Sequence, residues 1–297
     1  MRLPVLTPAA YRRVTLLALL ALAFIVVSGA AVRLTGSGLG CPDWPTCAND
    51  RVVAPLEYHA MVEFVNRTVT GLVSVAVILA VLGSLRRQPR RRDLTLLSLG
   101  LVAGVIGQIV LGGLTVLFEL KPGFVMAHFL LSMVLLADAV VLHDRAGRPD
   151  GDPRPPAVAD PDVRRLGSLA VVAAGLVLFL GTVVTSSGPH GGDENAERLN
   201  LAVPDVARFH GASVLLFLGL VLVTLWRVRS AGMTAHILRR GEVVLVVSVA
   251  QAALGYIQYF NGVPALLVGF HVAGATAVWI STLRFRLAFA ESVNRVA

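Results

Sequence analysis

The sequence predicts an all-α integral membrane protein whose eight transmembrane helices form two pseudo-symmetric four-helix bundles. Three observations support this fold class. The chain has 297 residues, of which 56% are hydrophobic and only 15% are charged. Its charge-free runs can span a hydrocarbon core about 30 Å thick, which takes about 20 helical residues. A glutamine–glycine–histidine pattern also occurs twice at the same spacing.

The hydrophobic runs define the helices in chain order. Three arginines precede the first run, as in a signal peptide, but its apolar stretch exceeds a signal core of roughly 7–15 residues, so we expect a retained helix. Val243–Leu283 contains no Asp, Glu, Lys or Arg. A single helix of that length would reach about 60 Å, so the run is predicted to reverse at Asn261-Gly262-Val263-Pro264. The other predicted spans are Val14–Val32, Thr68–Leu85, Leu94–Phe118, Phe124–Ala137, Leu166–Thr185 and Phe209–Trp226.

Arginine is distributed unevenly among the loops. Clusters of arginine follow helices 2, 4 and 6, whereas the opposite loops carry only Arg33, Arg51, Lys121 and Arg198. This positive-inside bias predicts a cell-membrane protein with both termini in the cytoplasm. It also accounts for the net charge of +8 without a nucleic-acid partner, which we therefore do not expect.

A polar, proline-rich segment divides the chain into halves. Residues 147–156 contain four prolines and two glycines, a composition that cannot continue a helix. The predicted organisation is an N-terminal bundle of residues 1–146, a cytoplasmic linker of residues 147–165 and a C-terminal bundle of residues 166–297. Sites in such bundles are built from side chains on facing helices.

The repeated pattern predicts a histidine site in each half. The pattern Gln-x-x-Leu-Gly begins at Gln108 and at Gln251, and His128 and His271 follow the two glutamines at the same separation. His210 lies at a similar depth on helix 6. Because imidazole is a good iron ligand, His210 and His271 are predicted to bind opposite faces of one heme. His128, the repeat partner of His271, is predicted to be an iron ligand in the N-terminal half. The alternative for each histidine is an interhelical hydrogen bond.

The start of helix 2 carries a second candidate site. Glu63, Asn66 and Arg67 share one helix face. Such a group is either an ordinary interfacial ion pair or, because ionisable groups near hydrocarbon are costly, a functional site. A carboxylate there could shuttle protons or stabilise a developing cation during substrate oxidation. Arg67 could pair with a heme propionate, since its planar guanidinium suits carboxylates.

The two cysteines, Cys41 and Cys47, lie in the first outer loop. On the oxidising side of a membrane they are predicted to form a structural disulfide. A redox-active pair that passes electrons to the site is the alternative. Two thiols without a nearby histidine pair do not suit zinc.

Together these motifs resemble the heme A synthase family of bacteria and mitochondria, over nearly all of the chain. The resemblance implies that the protein oxidises the ring D methyl group of heme O to a formyl group, which gives heme A for terminal oxidases. The implied partners are heme O as substrate, a heme O synthase and an electron donor, and the sequence leaves a homo-oligomer open. The matching segments are Arg33–Leu39, the cysteine loop with Asp43-Trp44-Pro45, the start of helix 2, the repeat and Ser187–His190.

The resemblance also implies roles for individual residues. Glu63 matches the catalytic glutamate, and His128 matches a ligand of the substrate heme in the N-terminal half. His210 and His271 match the ligands of a heme b in the C-terminal half, which relays electrons. The two cysteines match the external cysteine pair of the family.

One position departs from the family pattern. Asn66 stands where the motif glutamate–aromatic–x–histidine–arginine has its histidine. An amide is a poor iron ligand, so the substrate heme is left to His128 alone, unless His59, one turn before Glu63, replaces the missing ligand. The same departure favours the alternative function, a non-enzymatic membrane cytochrome b for electron transfer or heme carriage.

Overall fold

The computed structural model describes residues 5–150 and 160–289. Within these ranges the chain forms eight helices that are long and apolar enough to cross a membrane, which confirms the predicted multi-pass, all-α fold. The helices are α1 (Pro8–Leu34), α2 (Tyr58–Arg86), α3 (Arg92–Leu117), α4 (Pro122–Ala146), α5 (Pro161–Ser187), α6 (Val203–Ser230), α7 (Ala235–Phe260) and α8 (Ala265–Ala288). The side of the membrane on which the termini lie stays a prediction.

The helices extend beyond the charge-free runs that predicted them. Helix α2 begins at Tyr58, so the candidate residues at its start are helical. Helix α4 continues past Asp138, the charge at which the predicted span stopped. The predicted reversal of the last run is confirmed, because α7 ends at Phe260 and α8 begins at Ala265. Gly262 lies in that turn with a φ of 77°, a left-handed conformation that glycine adopts at little cost.

The described residues fall into two compact units. The first contains residues 5–150 together with Thr185–Asn200. Helix α1 packs against α2 and α4, and α3 packs against the same two helices, so the four form a closed bundle. Thr185–Asn200 lies over one end of α1, where Arg33 Nη2 donates to the Thr185 carbonyl at 2.8 Å. The Gly38 N–H likewise donates to the Gly192 carbonyl at 2.8 Å.

The second unit contains residues 160–184 and 201–289. Helix α7 packs against α6 and α8, and α5 contributes Val163 and Ala170 to the same buried core as Phe217 on α6. A Cβ atom at Gly167 would lie 2.2 Å from the Phe289 ring, so this glycine permits close packing between α5 and the end of α8.

The unit boundaries differ from those that the sequence predicted. Helix α5 begins at Pro161, inside the predicted linker of residues 147–165, because proline is favoured in the first turn of a helix. Residues 151–159 of that predicted linker lie outside the described residues, as do residues 290–297 of the predicted C-terminal bundle. The segment Thr185–Asn200 belongs to the first unit, although the sequence assigned it to the second half.

Candidate functional site

The cysteine loop lies directly on the candidate carboxylate of α2. Cys41 and Cys47 form a disulfide, as predicted, and both residues are buried. The Cys41 N–H donates a hydrogen bond of 2.8 Å to Oε2 of Glu63. Glu63 itself is only 6% exposed. The loop therefore encloses the carboxylate and holds one of its oxygens.

Arg67 connects the carboxylate to the rest of the loop. Its Nε and Nη2 donate to Oε1 of Glu63 at 3.1 and 2.6 Å. Its Nη1 donates to the carbonyls of Asp43 and Thr46 at 3.2 and 2.7 Å, and its Nη2 also donates to the Cys41 carbonyl at 2.9 Å. A guanidinium has five N–H donors, and these contacts use all of them. The predicted propionate contact of Arg67 would therefore have to displace one of these bonds.

Several donors surround the Glu63 carboxylate. Its Oε2 accepts from the Cys41 N–H and its Oε1 accepts twice from Arg67, and the Gly40 N–H also lies against it. A buried carboxylate held by charge-assisted bonds is fixed in orientation before a substrate arrives.

Asn66, the departure from the family motif, is bonded to α1. The Ser28 hydroxyl donates to Oδ1 of Asn66 at 2.8 Å. The amide oxygen is the atom of this side chain with lone pairs to offer a metal, and the hydrogen bond occupies it in part. His59, the predicted substitute, lies in the first turn of α2, where its Nδ1 is hydrogen bonded to the Ser37 hydroxyl at 2.9 Å.

His128 lies on α4 in contact with the glutamine and the glycine of its repeat. Gln108 on α3 donates through Nε2 to the His128 carbonyl at 3.1 Å and to the Ser132 hydroxyl at 2.6 Å. A Cβ atom at Gly112 would lie 3.2 Å from Cε1 of the His128 ring, so the glycine leaves room for the imidazole. The ring Nδ1 is buried and has no hydrogen bond within the described residues.

His271 has the same surroundings in the second unit. Gln251 on α7 donates to the His271 carbonyl at 2.8 Å, and a Cβ atom at Gly255 would lie 3.1 Å from Cε1 of the ring. The Nδ1 of His271 is again buried without a hydrogen bond in the part of the chain that the structure covers. The two copies thus repeat a set of contacts as well as a pattern of residues.

His210 on α6 completes the histidine pair of the second unit. It lies close enough to His271 for their charged forms to repel one another. A Cβ atom at Gly181 of α5 would lie 3.3 Å from Cε1 of His210, so a glycine again faces the ring. Its Nδ1 makes no hydrogen bond of acceptable geometry with a described residue, although the Val177 carbonyl lies nearby.

These three histidines fit a group that binds imidazole. Buried polar atoms without a hydrogen bond are rare in native proteins, and each calls for an explanation such as a missing ligand. Each ring also lies against a glycine, which leaves it space to turn toward a bulky group. Imidazole nitrogens from separate helices are a donor set that heme iron takes. The residues present therefore fit a heme in the second unit and a heme ligand in the first.

Sequence reasoning missed two contributors to these sites and one carboxylate farther along α4. Ser28 was not singled out, because its contact with Asn66 depends on how α1 packs on α2. Gly181 belongs to no repeated pattern, and only its place opposite His210 reveals it. Asp138 on α4 has a buried Oδ1 without a hydrogen bond to any described residue. A carboxylate inside an apolar run is itself a signal that could have identified it.

Comparison with known proteins identifies the family of this chain. The model of the cytochrome oxidase assembly protein family matches residues 12–60 and 52–189, which together make up more than half of the sequence. The chain belongs to the cytochrome oxidase assembly protein family. The family resemblance drawn from the sequence motifs is therefore confirmed.

The chain is similar to several bacterial proteins named heme A synthase. It is 30% identical to that of Halalkalibacterium halodurans over 135 residues, which cover 45% of each chain. It is 31% identical to that of Shouchella clausii over 144 residues, which cover 48% of each chain. The heme A synthase of Lysinibacillus sphaericus is 29% identical over 119 residues, 40% of this chain and 39% of that relative. The matched segments thus span less than half the length of these relatives.

Proposed function

We propose that this protein is a heme A synthase, an oxidoreductase that converts the ring D methyl group of heme O to a formyl group. The product, heme A, would serve terminal oxidases. Family membership and the names of the relatives support the reaction class. The observation that carries the proposal is the repeated environment of His128 and His271, each with a glutamine bound to its carbonyl and a glycine facing its ring.

In the second unit we propose that His210 and His271 would hold a heme b. A bound heme b would supply a one-electron relay to the reaction. The protein contributes two uncharged imidazoles from α6 and α8. The bond from Gln251 to the His271 carbonyl, 2.8 Å long, fixes the backbone that carries one ligand, as outer partners of metal ligands commonly do.

In the first unit we assign heme O as the substrate and His128 as its iron ligand. Asn66, held by Ser28, is then a polar neighbour of the substrate rather than a strong ligand. Heme O carries a farnesyl chain and dissolves in the membrane, so a heme O synthase would deliver it through the lipid phase. The reaction also requires an electron donor, which we expect to act at the heme b unit.

Glu63 is the proposed catalytic residue. Conversion of the methyl group to a formyl group by molecular oxygen takes two rounds, each of which uses one O2, two electrons from the donor and two protons, and releases water. The Glu63 carboxylate can relay those protons as a general acid–base group. Arg67 and the Cys41 N–H hold the two carboxylate oxygens separately, so the base needs no reorientation during the reaction. Arg67 therefore acts on the substrate through Glu63, as a positioning residue.

One observation favours a second function, that of a membrane cytochrome b without enzymatic activity. The oxygen of Asn66 already accepts the Ser28 hydroxyl, so the first unit offers His128 without the histidine partner that the family motif carries on α2. A heme held there by one histidine could be carried or reduced without being oxidised at its methyl group.

Coexpression with a heme O synthase distinguishes the two functions. The full-length chain is expressed in a host that makes no heme A, and the extracted pigments are separated by chromatography. A heme A synthase yields the alcohol or aldehyde derivative of heme O. Glu63→Ala should abolish both products and leave the heme b spectrum unchanged, whereas Glu57→Ala, at the exposed start of α2, should behave as wild type. If neither product forms although heme b is bound, the enzymatic proposal fails.

A further inference from the structure

A cavity lies at the arginine-rich end of the first unit. It has a volume of about 600 Å³ and opens between the start of α1 and the end of α4. Arg12, Arg13 and Leu16 line it from α1, and His143, Gly147 and Arg148 line it from α4 and the residues just after it. His128 lies about 22 Å away along α4, at about 1.5 Å per residue. The cavity is therefore distinct from the candidate active site.

The Arg12 guanidinium packs on the backbone just after α4. A Cβ atom at Gly147 would lie 2.9 Å from both Cζ and Nε of Arg12, so a larger residue there would push the guanidinium aside. The Thr15 hydroxyl donates to the Arg12 carbonyl at 2.9 Å and is hydrogen bonded to Nδ1 of His143 at 3.0 Å. These bonds join α1 to α4 within one helical turn of Arg12 and Arg13.

Two cations in this cavity are not neutralised by the described part of the protein. Arg148 pairs with Asp144 at 2.5 Å, and the carboxylate that lines the cavity, Asp150, pairs with Arg87 at 2.5 Å. Arg12 and Arg13 are exposed and have no carboxylate within ion-pair distance among the described residues. The N-terminus of α1, which lies at the same end, adds a partial positive charge. A negatively charged ligand would therefore complement this cavity.

An exposed apolar stripe runs from the cavity along α1. Leu16, Leu20 and Phe24 follow Arg12 at intervals of one helical turn, so all four share one face. The exposed fractions of these three apolar residues are 41%, 58% and 59%. A transmembrane helix presents such a face to lipid acyl chains. The guanidinium groups therefore lie directly above a surface that an acyl chain can follow.

We propose that this cavity binds the headgroup of an anionic phospholipid. Arg12 and Arg13 contact the phosphate, since a guanidinium donates paired hydrogen bonds to phosphate oxygens, and one acyl chain lies along Leu16, Leu20 and Phe24. Basic pockets between transmembrane helices recognise anionic headgroups by this combination of charge and depth. The site does not depend on the proposed oxidation of heme O.

Lipid binding to the purified full-length protein tests this site. Native mass spectrometry in detergent compares cardiolipin with phosphatidylcholine of the same acyl chains, and inorganic phosphate is added as a competitor. We expect cardiolipin to be retained preferentially and phosphate not to displace it at equal concentration. Arg12→Gln with Arg13→Gln should weaken cardiolipin binding about tenfold or more, because each arginine near an anionic surface contributes roughly fivefold. The matched control replaces Arg229 and Arg239, which are exposed on α6 and α7, and should bind as wild type.

A second variant, which removes no charge, separates the effect of the binding site from that of net charge. It also keeps the test valid if the double arginine variant folds poorly. Gly147→Ala should displace the Arg12 guanidinium and weaken cardiolipin binding by a smaller factor. Gly123→Ala, at the other end of α4, has no atom within 4 Å of the added methyl group and should change nothing. The proposal is overturned if the two lipids bind equally or if phosphate alone displaces cardiolipin. It is also overturned if the arginine double variant binds cardiolipin as well as its control.

Discussion

The Cys41 N–H donates a hydrogen bond of 2.8 Å to Oε2 of Glu63. Because Cys41 is also disulfide bonded to Cys47, the covalent loop and the carboxylate of α2 form one structural unit. Arg67 closes that unit by binding the other carboxylate oxygen and three loop carbonyls. The disulfide loop was predicted to have a structural role, and its hydrogen bonds also hold the proposed catalytic group in position.

Removal of the disulfide should therefore lower activity without affecting the heme b unit. In the double variant Cys41→Ala, Cys47→Ala the loop is free to move, and a displacement of about 1 Å at a catalytic group can cost about a hundredfold in rate. We expect heme A formation to fall at least tenfold, with an unchanged reduced spectrum of heme b. Val52→Ala, an exposed residue of the segment between α1 and α2, serves as the control. Full activity of the double variant would show that the loop does not position Glu63.

Arg67→Lys should reduce both activity and stability. Lysine has three donors in place of five and lacks the planar geometry that reaches Glu63 and the carbonyls together. Loss of two or more buried, charge-assisted bonds should cost about 2–4 kcal/mol in the free energy of unfolding. The midpoint of thermal unfolding and the yield of heme A measure these effects. An unchanged midpoint, equal to that of Arg51→Lys at an exposed position between α1 and α2, would contradict the bonding described for Arg67.

The glycines that face the histidines give a pair of predictions with separate outcomes. In Gly255→Ala the new methyl group would lie 3.1 Å from the His271 ring, so the imidazole must tilt and heme b should bind more weakly. Gly112→Ala should leave heme b intact and impair the first unit alone, through His128. Gly219→Ala on α6, where nothing lies within 4 Å of the added carbon, is the control. Heme content and absorbance after purification report each effect. Identical spectra for all three variants would remove the support that the glycines give to heme binding.

Asn66→His should restore the ligand that the family motif carries. With His128 on α4 and a new histidine on α2, a heme in the first unit should become six-coordinate and low-spin, whereas the wild-type site should not. Electron paramagnetic resonance of the oxidised protein distinguishes the two spin states. Ser28→Ala is a useful companion, because it releases the Asn66 oxygen without adding a nitrogen ligand and should leave the spin state as in wild type. An unchanged spin state in Asn66→His would mean that this position does not face the iron.

Local patterns were sufficient to predict the helices and one of the turns. The turn at Asn261–Pro264 follows from glycine and proline chemistry, which acts over a few residues. The predicted end of the fourth span was too early because the charge of Asp138 was taken as a boundary. A helix can carry one carboxylate when its other residues remain apolar, and α4 continues to Ala146.

The contacts of the candidate residues could be predicted only in part. The spacing of Glu63 and Arg67 indicated an ion pair on one helix face, and their salt bridge of 2.6 Å agrees with it. The acceptors of the other Arg67 donors are carbonyls of the cysteine loop, and backbone carbonyls carry no side-chain signal in a sequence. The bond between Ser28 and Asn66 likewise depends on the packing of α1 on α2, which helical periodicity alone does not specify.

The most direct test of the central claim is the reduced-minus-oxidised absorption spectrum of purified protein in which both His210 and His271 are replaced by alanine. The proposed function predicts that the heme b bands disappear, while the same bands persist in His236→Ala, a histidine outside both candidate sites. Heme b absorbance that is unaltered in the double variant would contradict the assignment of these two histidines as its ligands.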